Sequence, residues 1–165
     1  MLGILVGMLY ANAGEWLLHK YVLHRLGRRR GSFYAYHWHE HHRNVRLHGL
    51  VDPTYTRSVF GWHAQGKEAL SLVGLGLAHL PLAPLAPLFT ATVLYSLVDY
   101  YRKHKRAHVD PAWARARLPW HVDHHLGPNP EANFCITRPW FDHVMGTREL
   151  WVGTAAEAAA ARAAA

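Results

Sequence analysis

Ten of the fifteen histidines in this chain fall into four groups with metal-ligand spacing: His19/His24, His37/His41/His42, His104/His108 and His121/His124/His125. Neutral imidazole is the commonest protein ligand for transition metals. Ten such ligands are too many for one ion and suit two ions of five nitrogens each. A single histidine is ordinarily a solvated or interfacial side chain, and His39, His48, His63, His79 and His143 are read that way. Four spaced groups are not explained so simply. His104 and His108 are i,i+4 and stack on one helix face, and His121 with His124/His125 does the same. His37 and His41 share a face, with His42 turned by about 100° and able to reach a second ion. His19 and His24 stand about 140° apart on an ideal helix, which suits two ions or a distorted turn.

The elements that must carry these groups are helices. Met1 to Gly14 has no charge and its apolar pattern runs on to His19, so a first membrane helix is expected over about 1–24. Lys20 and Arg28-Arg29-Arg30 mark its cytoplasmic end. Residues 32–45 read as a surface helix and 47–66 as a connecting loop. Residues 69–98 are apolar apart from His79, with prolines at 81, 84 and 87. Histidine groups on both sides of this stretch can share ions only if they lie on one side of a membrane. A helical hairpin over about 66–103 is therefore expected, turning at the prolines, and a re-entrant hairpin that never crosses fully would serve equally. The fold class expected is all-α: an integral membrane helical bundle with a cytosolic helical cap holding a dinuclear His-rich metal site. The chain divides into one domain over 1–150, with cytosolic His-rich segments at 25–60 and 104–150, and a low-complexity Ala-rich tail at 151–165.

Composition narrows the classes. The net charge of +7 arises from arginines and lysines beside the histidine groups. Positive loops next to apolar segments fit the cytoplasmic face of a membrane and anionic headgroups better than nucleic acid, which is not expected as a partner. The one cysteine, Cys135, excludes a disulfide framework and a CxxC zinc site. Ala11-Asn12-Ala13 mimics a signal cleavage site, but no positive segment precedes it, and no signal peptide is expected.

The segments "GEWLLHKYVLHR", "YHWHEHH", "LVDYYRKHKRAH", "WHVDHH" and "NFCITRPWFDHVMGT" resemble the membrane-bound fatty acid hydroxylase/sterol desaturase superfamily. The order HX4H, HX3HH, HX3H, HX2HH lies nearest its fatty acid 2-hydroxylase branch. The resemblance runs from about Glu15 to Thr147, ending on Asn133-Phe134, Trp140, Asp142 and Gly146-Thr147. Cys135 stands where the family has glycine, Met145 where it has phenylalanine, and Phe141 separates Trp140 from Asp142. The third group has two registers: His104 is common to both, while His108 and Asp99 are alternatives for one ligand position. The resemblance implies an oxidoreductase that hydroxylates or desaturates a lipid C–H bond, of fatty acyl, sphingolipid or sterol type. It also implies two metal ions, iron with zinc as the alternative, and O2. Electrons would come from a separate ferredoxin or cytochrome b5-like partner.

Unactivated C–H bonds lie beyond acid–base or nucleophilic side chains, so such chemistry falls to a redox metal and oxygen. Asp123, Glu40 and Asn133 are candidates to orient histidine tautomers. Three rival readings remain: a zinc-binding or catalytically inactive family member, a metal-dependent hydrolase, and a carotenoid hydroxylase.

Overall fold

The computed structural model describes residues 1–163, and every regular element among them is helical. Helix α1 (Leu2–Leu17) runs straight into a π-helical segment, Leu18–Leu26. A second π-helical turn, His37–His41, leads into α2 (His42–Leu47). After a 3-10 turn at Pro53–Thr56 come α3 (Ala64–His79) and α4 (Pro87–Val109). Helices α5 (Pro111–Arg117), α6 (Pro119–Leu126), α7 (Trp140–Val144) and α8 (Ala155–Ala163) follow. Residues 164 and 165, the end of the Ala-rich tail, lie outside the described residues.

The hairpin expected over 66–103 is formed by α3 and α4, which turn through Leu80–Ala86. Pro81 sits in the short 3-10 turn there, and Pro87 opens α4 at a position whose N–H needs no intrahelical partner. Helix α1 lies along α4. The approach is close enough that a Cβ on Gly7 would meet Thr92 Cβ at 2.8 Å. Asp110 ends α4 and caps α5, its carboxylate accepting from Trp113 N at 3.0 Å.

No helix among the described residues is long and apolar enough to cross a membrane. The crossings expected at 1–24 and 66–103 exist as helices, but α1 and α3 have 16 residues each. Sixteen residues of α-helix reach about 24 Å against a hydrocarbon core of about 30 Å, and the π-helical continuation of α1 is polar, carrying His19, Lys20, His24 and Arg25. In α4 the second half is charged, from Asp99 through Arg106. These helices nevertheless turn apolar side chains outward, including Leu5, Leu9, Leu70, Leu77 and Leu88, as does Leu85 in the turn between α3 and α4.

The buried apolar clusters are small. One joins Val45, Leu50, Ala107, Ala114, Leu118 and Val122, and the other joins Trp16, Phe134 and Cys135. Between them the interior is filled by imidazoles. The start of the expected tail is tied down, since Asp123 accepts from Trp151 N and Val152 N at 3.0 and 2.7 Å.

Candidate metal centre

All ten spaced histidines are buried and converge on one region. They form two adjoining groups. His19, His24, His37, His42 and His124 place one ring nitrogen each within 4.8 Å of the others, as do His41, His104, His108 and His125. His121 joins the second set, with its Nε2 at 2.9 Å from His108 Nε2. The His42 ring lies 4.5 Å from His125, so the two groups share a wall.

The π-helical geometry decides the partition. In a π-turn the hydrogen bond closes from i to i+5, which brings residues five apart onto one face. His19 and His24 therefore meet in the first group instead of diverging by the angle of an ideal helix. For the same reason His37 pairs with His42, their Nε2 atoms 3.2 Å apart, and His41 turns to the second group. This corrects the expected pairing of His37 with His41. On α6 the ordinary i,i+4 spacing sends His121 and His125 to one side, while His124 turns to the first group, 3.3 Å from His42. The third group resolves in the same way. Helix α4 continues to Val109, which puts His104 and His108 together, whereas Asp99 bonds Lys103 at 2.7 Å, outside both histidine groups.

Most of the rings are held by their outward nitrogen. His19, His108 and His124 donate Nδ1–H to the carbonyls of Phe134, Leu50 and Ala132, at 2.5, 2.8 and 2.6 Å. His41 and His104 donate to Asp52 and Glu68 at 2.7 and 2.6 Å. His24 reaches Glu131 at 3.3 Å, and Arg28 bonds the same carboxylate. Such bonds fix the tautomer and aim Nε2 inward. Leu50 (φ 83°) and Asn133 (φ 61°) are the non-glycine residues with left-handed backbone. Each lies at a carbonyl that anchors a ring. That conformation costs about 1–3 kcal/mol and clusters at functional sites.

The expected orienting residues are not the observed ones. Asp123 serves the 151–152 backbone and Arg148, Glu40 caps Ala64 N, and Asn133 holds Glu149 and Arg148. Asp52, Glu68 and Tyr55 take their place, Tyr55 hydroxyl donating to Glu68 and lying 3.1 Å from His104 Nδ1. The Asp-Pro pair at 52–53 signals a turn cap, which Asp52 also is, accepting from Thr54 N. A carboxylate at the head of an apolar helix, Glu68, was the one sequence signal available. Neither reveals its imidazole without the fold.

The donor set fits metal ions. His24, His41 and His104 each leave a buried Nε2 without a partner, and both nitrogens of His125 are unpartnered. An orphaned buried polar atom is costly unless something unseen by the protein's own atoms satisfies it. Facing Nε2 pairs stand 2.9 to 3.3 Å apart. Two imidazoles on one ion at ~2.0–2.1 Å, in tetrahedral or octahedral array, have nitrogens about 2.9–3.4 Å apart. The nitrogens are also in the binding protonation state. Burial, reinforced by neighbouring imidazoles, holds His37, His42, His121 and His125 well below the ordinary value, and burial does the same to His108. His124 is lowered to about 4 by burial. At Asp52 burial alone would raise the carboxyl, but hydrogen bonds from His41, Thr54 and Asn44 outweigh it and hold it well below the usual carboxylate range.

A cavity of about 430 Å3 lies between α1, α3 and α4. His19 and Glu68 line it where it meets the histidine cluster, and the lining continues past them to Leu23, Phe33, Tyr34 and Tyr36. Its outer end is bounded by Tyr10 and His79, whose hydroxyl and Nε2 are 2.9 Å apart. Tyr10 and His19 are nine residues apart on one helix, about 13 Å. Outside the centre, His48, His63 and His79 bond backbone carbonyls four or five residues away, and His39 bonds the Arg28 carbonyl. The chain matches no family model, no curated protein and no solved structure.

Proposed function

We propose that this chain is an O2-dependent di-metal oxygenase, using iron, that hydroxylates or desaturates a C–H bond of an apolar, lipid-like molecule. The observation that carries the reading is the double cluster of buried neutral imidazoles meeting an apolar cavity at His19. Two iron ions held there would supply the oxidation of a C–H bond by O2, which no side chain can perform. The protein's part is to hold neutral nitrogens, through Asp52, Glu68 and backbone carbonyls, and to deliver a carbon to the inner end of the cavity while excluding water. Outward-facing Leu5, Leu9, Leu70 and Leu77 support association with a bilayer, as a first helix and hairpin that enter without crossing. The metal end would then lie at the cytoplasmic face beside Arg25, Arg28, Arg29 and Arg30, all exposed.

That basic edge suits an acidic electron-donor protein, whose encounter would be steered by charge. Arg28 lies 4.4 Å over the Trp38 ring, which in turn sits 5.3 Å from His42 and 5.2 Å from His24. Anaerobic reconstitution with ferrous iron tests the whole reading. Two ions per chain are expected, followed by O2 consumption that requires reductant, and lipid products gaining one oxygen or losing two hydrogens. Bound metal with no O2-dependent product would favour the zinc-binding reading. Turnover without O2 or reductant would favour a hydrolase.

A further inference from the structure

We infer that the cavity takes an uncharged, elongated apolar molecule along its whole length and rejects a carboxylate. This rests on the reading above and narrows its substrate class. The chain has 18 lysines and arginines, yet none lines the cavity. The charged residues that do line it are two carboxyls, Glu15 and Glu68. Glu15 accepts from Ile136 N and Thr137 N at 3.0 Å each, and from Thr137 Oγ1. Glu68 is buried against Tyr55 and His104. A ligand carboxylate placed between them would lose its hydration and gain no cation. If the two glutamates are ionised they repel it, and if they are protonated they leave it uncompensated.

Three lysines on the elements that line the cavity are engaged with other groups. Lys67 lies over the Tyr36 and Trp62 rings, Lys20 lies over Trp16, and Lys103 bonds Asp99. What the cavity offers a ligand is neutral. Ser71 and Ser96 donate to Lys67 and Thr92 carbonyls, which leaves hydroxyl lone pairs to accept. Tyr10 at the outer end can accept as well, its proton engaged by His79. The remaining wall is aliphatic and aromatic, as at Leu18, Val22, Leu72, Leu75, Val93 and Leu97. The volume is within the ~300–1,000 Å3 of ordinary small-molecule sites. A long-chain alcohol, whose hydroxyl can donate to these lone pairs, satisfies this lining, whereas a free fatty acid or a phosphorylated lipid drawn fully inside does not.

Binding can be read without turnover on the full chain loaded with zinc, which has no redox chemistry. The probes are tritiated 1-hexadecanol and hexadecanoate at pH 8. Hexadecanol is expected to bind at least ~10-fold more tightly. Gly14 and Gly74 line the cavity, and a Cβ on either meets nothing within 4 Å. Gly14→Phe and, separately, Gly74→Phe should therefore fill the space and abolish binding while zinc content stays at the parent level. Ser96→Lys should shift preference toward hexadecanoate. Equal affinity for both probes, blocked by the two phenylalanines, would overturn this inference and leave the oxygenase reading standing. No binding of either probe, or binding indifferent to both substitutions, would overturn both.

Discussion

His41 and His104 differ from the other anchored rings of their group in leaning on carboxylates, where His108 leans on a backbone carbonyl. A carbonyl cannot be removed by substitution, but Asp52 can. Asp52→Ala frees the His41 tautomer and unsettles the turn at Thr54. Metal affinity by chelator competition should fall ~10–100-fold, the usual cost of losing such a partner. Asp52→Asn, which keeps an acceptor oxygen, should recover part of that loss. The register question is tested on the same scale. His108→Ala should lose metal and oxidation together, because its ring sits inside the second group. Asp99→Asn removes only a half-buried pair with Lys103 that lies outside both histidine groups, and should leave metal content unchanged. Loss of metal in Asp99→Asn with full metal in His108→Ala would reverse the assignment.

The element that does most is the π-turn. It occurs at Leu18–Leu26 and at His37–His41, the two places where histidines five residues apart are brought into one group. Deleting Val22 would convert His19/His24 to an i,i+4 pair on a regular helix and rotate everything before it by one position. The expected result is a chain that holds fewer metal ions, measured by elemental analysis, with helical content retained by circular dichroism. The α1–α4 crossing is the second element-level device. Gly7→Val places a Cβ 2.8 Å from Thr92 Cβ, so the helices must part or Thr92 must shift. Overpacking of this kind costs about 1–3 kcal/mol, and Tm should drop by roughly 2–10 °C. An unchanged Tm would mean that α1 does not sit on α4 at this spacing.

For the molecule as a whole, the imidazoles stand where an apolar core would otherwise be, and folding is expected to depend on both metal and pH. His37, His42, His108, His121, His124 and His125 all have folded-state values below the unfolded ~6.5. The unfolded chain then binds protons that the folded chain refuses. Stability is fully present above about pH 6.5 and is lost as pH falls, until the folded-state values are reached, about 4 for His124. Each group contributes a slope of ~1.4 kcal/mol per pH unit. Acting together, these groups weigh heavily against a typical total stability of about 5–15 kcal/mol. The chelated protein should therefore unfold cooperatively within one to two units below pH 6.5, and metal loss from the loaded protein should track unfolding. A Tm of the chelated chain that is flat from pH 7.5 to 5 would contradict this. Bound metal should raise Tm at every pH in that range, because ligand binding to the folded state alone is stabilisation.

The all-helical class, the proline-turned hairpin and the ten histidines were legible in residue types and spacing. Apolar runs, proline positions and imidazole repeats are local properties, and local properties are what a sequence displays. Three matters needed the tertiary structure. Nothing in the residue spacing distinguishes an α-turn from a π-turn, so whether His37 meets His41 or His42 is decided by the packed backbone. Asp52, Glu68 and the Phe134, Ala132 and Leu50 carbonyls come to their rings from distant points of the chain, where their own surroundings advertise only caps and loops. The apolar segments likewise announced burial without saying in what. No helix among the described residues is long and apolar enough to cross a bilayer: the regular helix of α1 gives way to the π-turn that brings His19 and His24 together, and α3 ends at the proline turn.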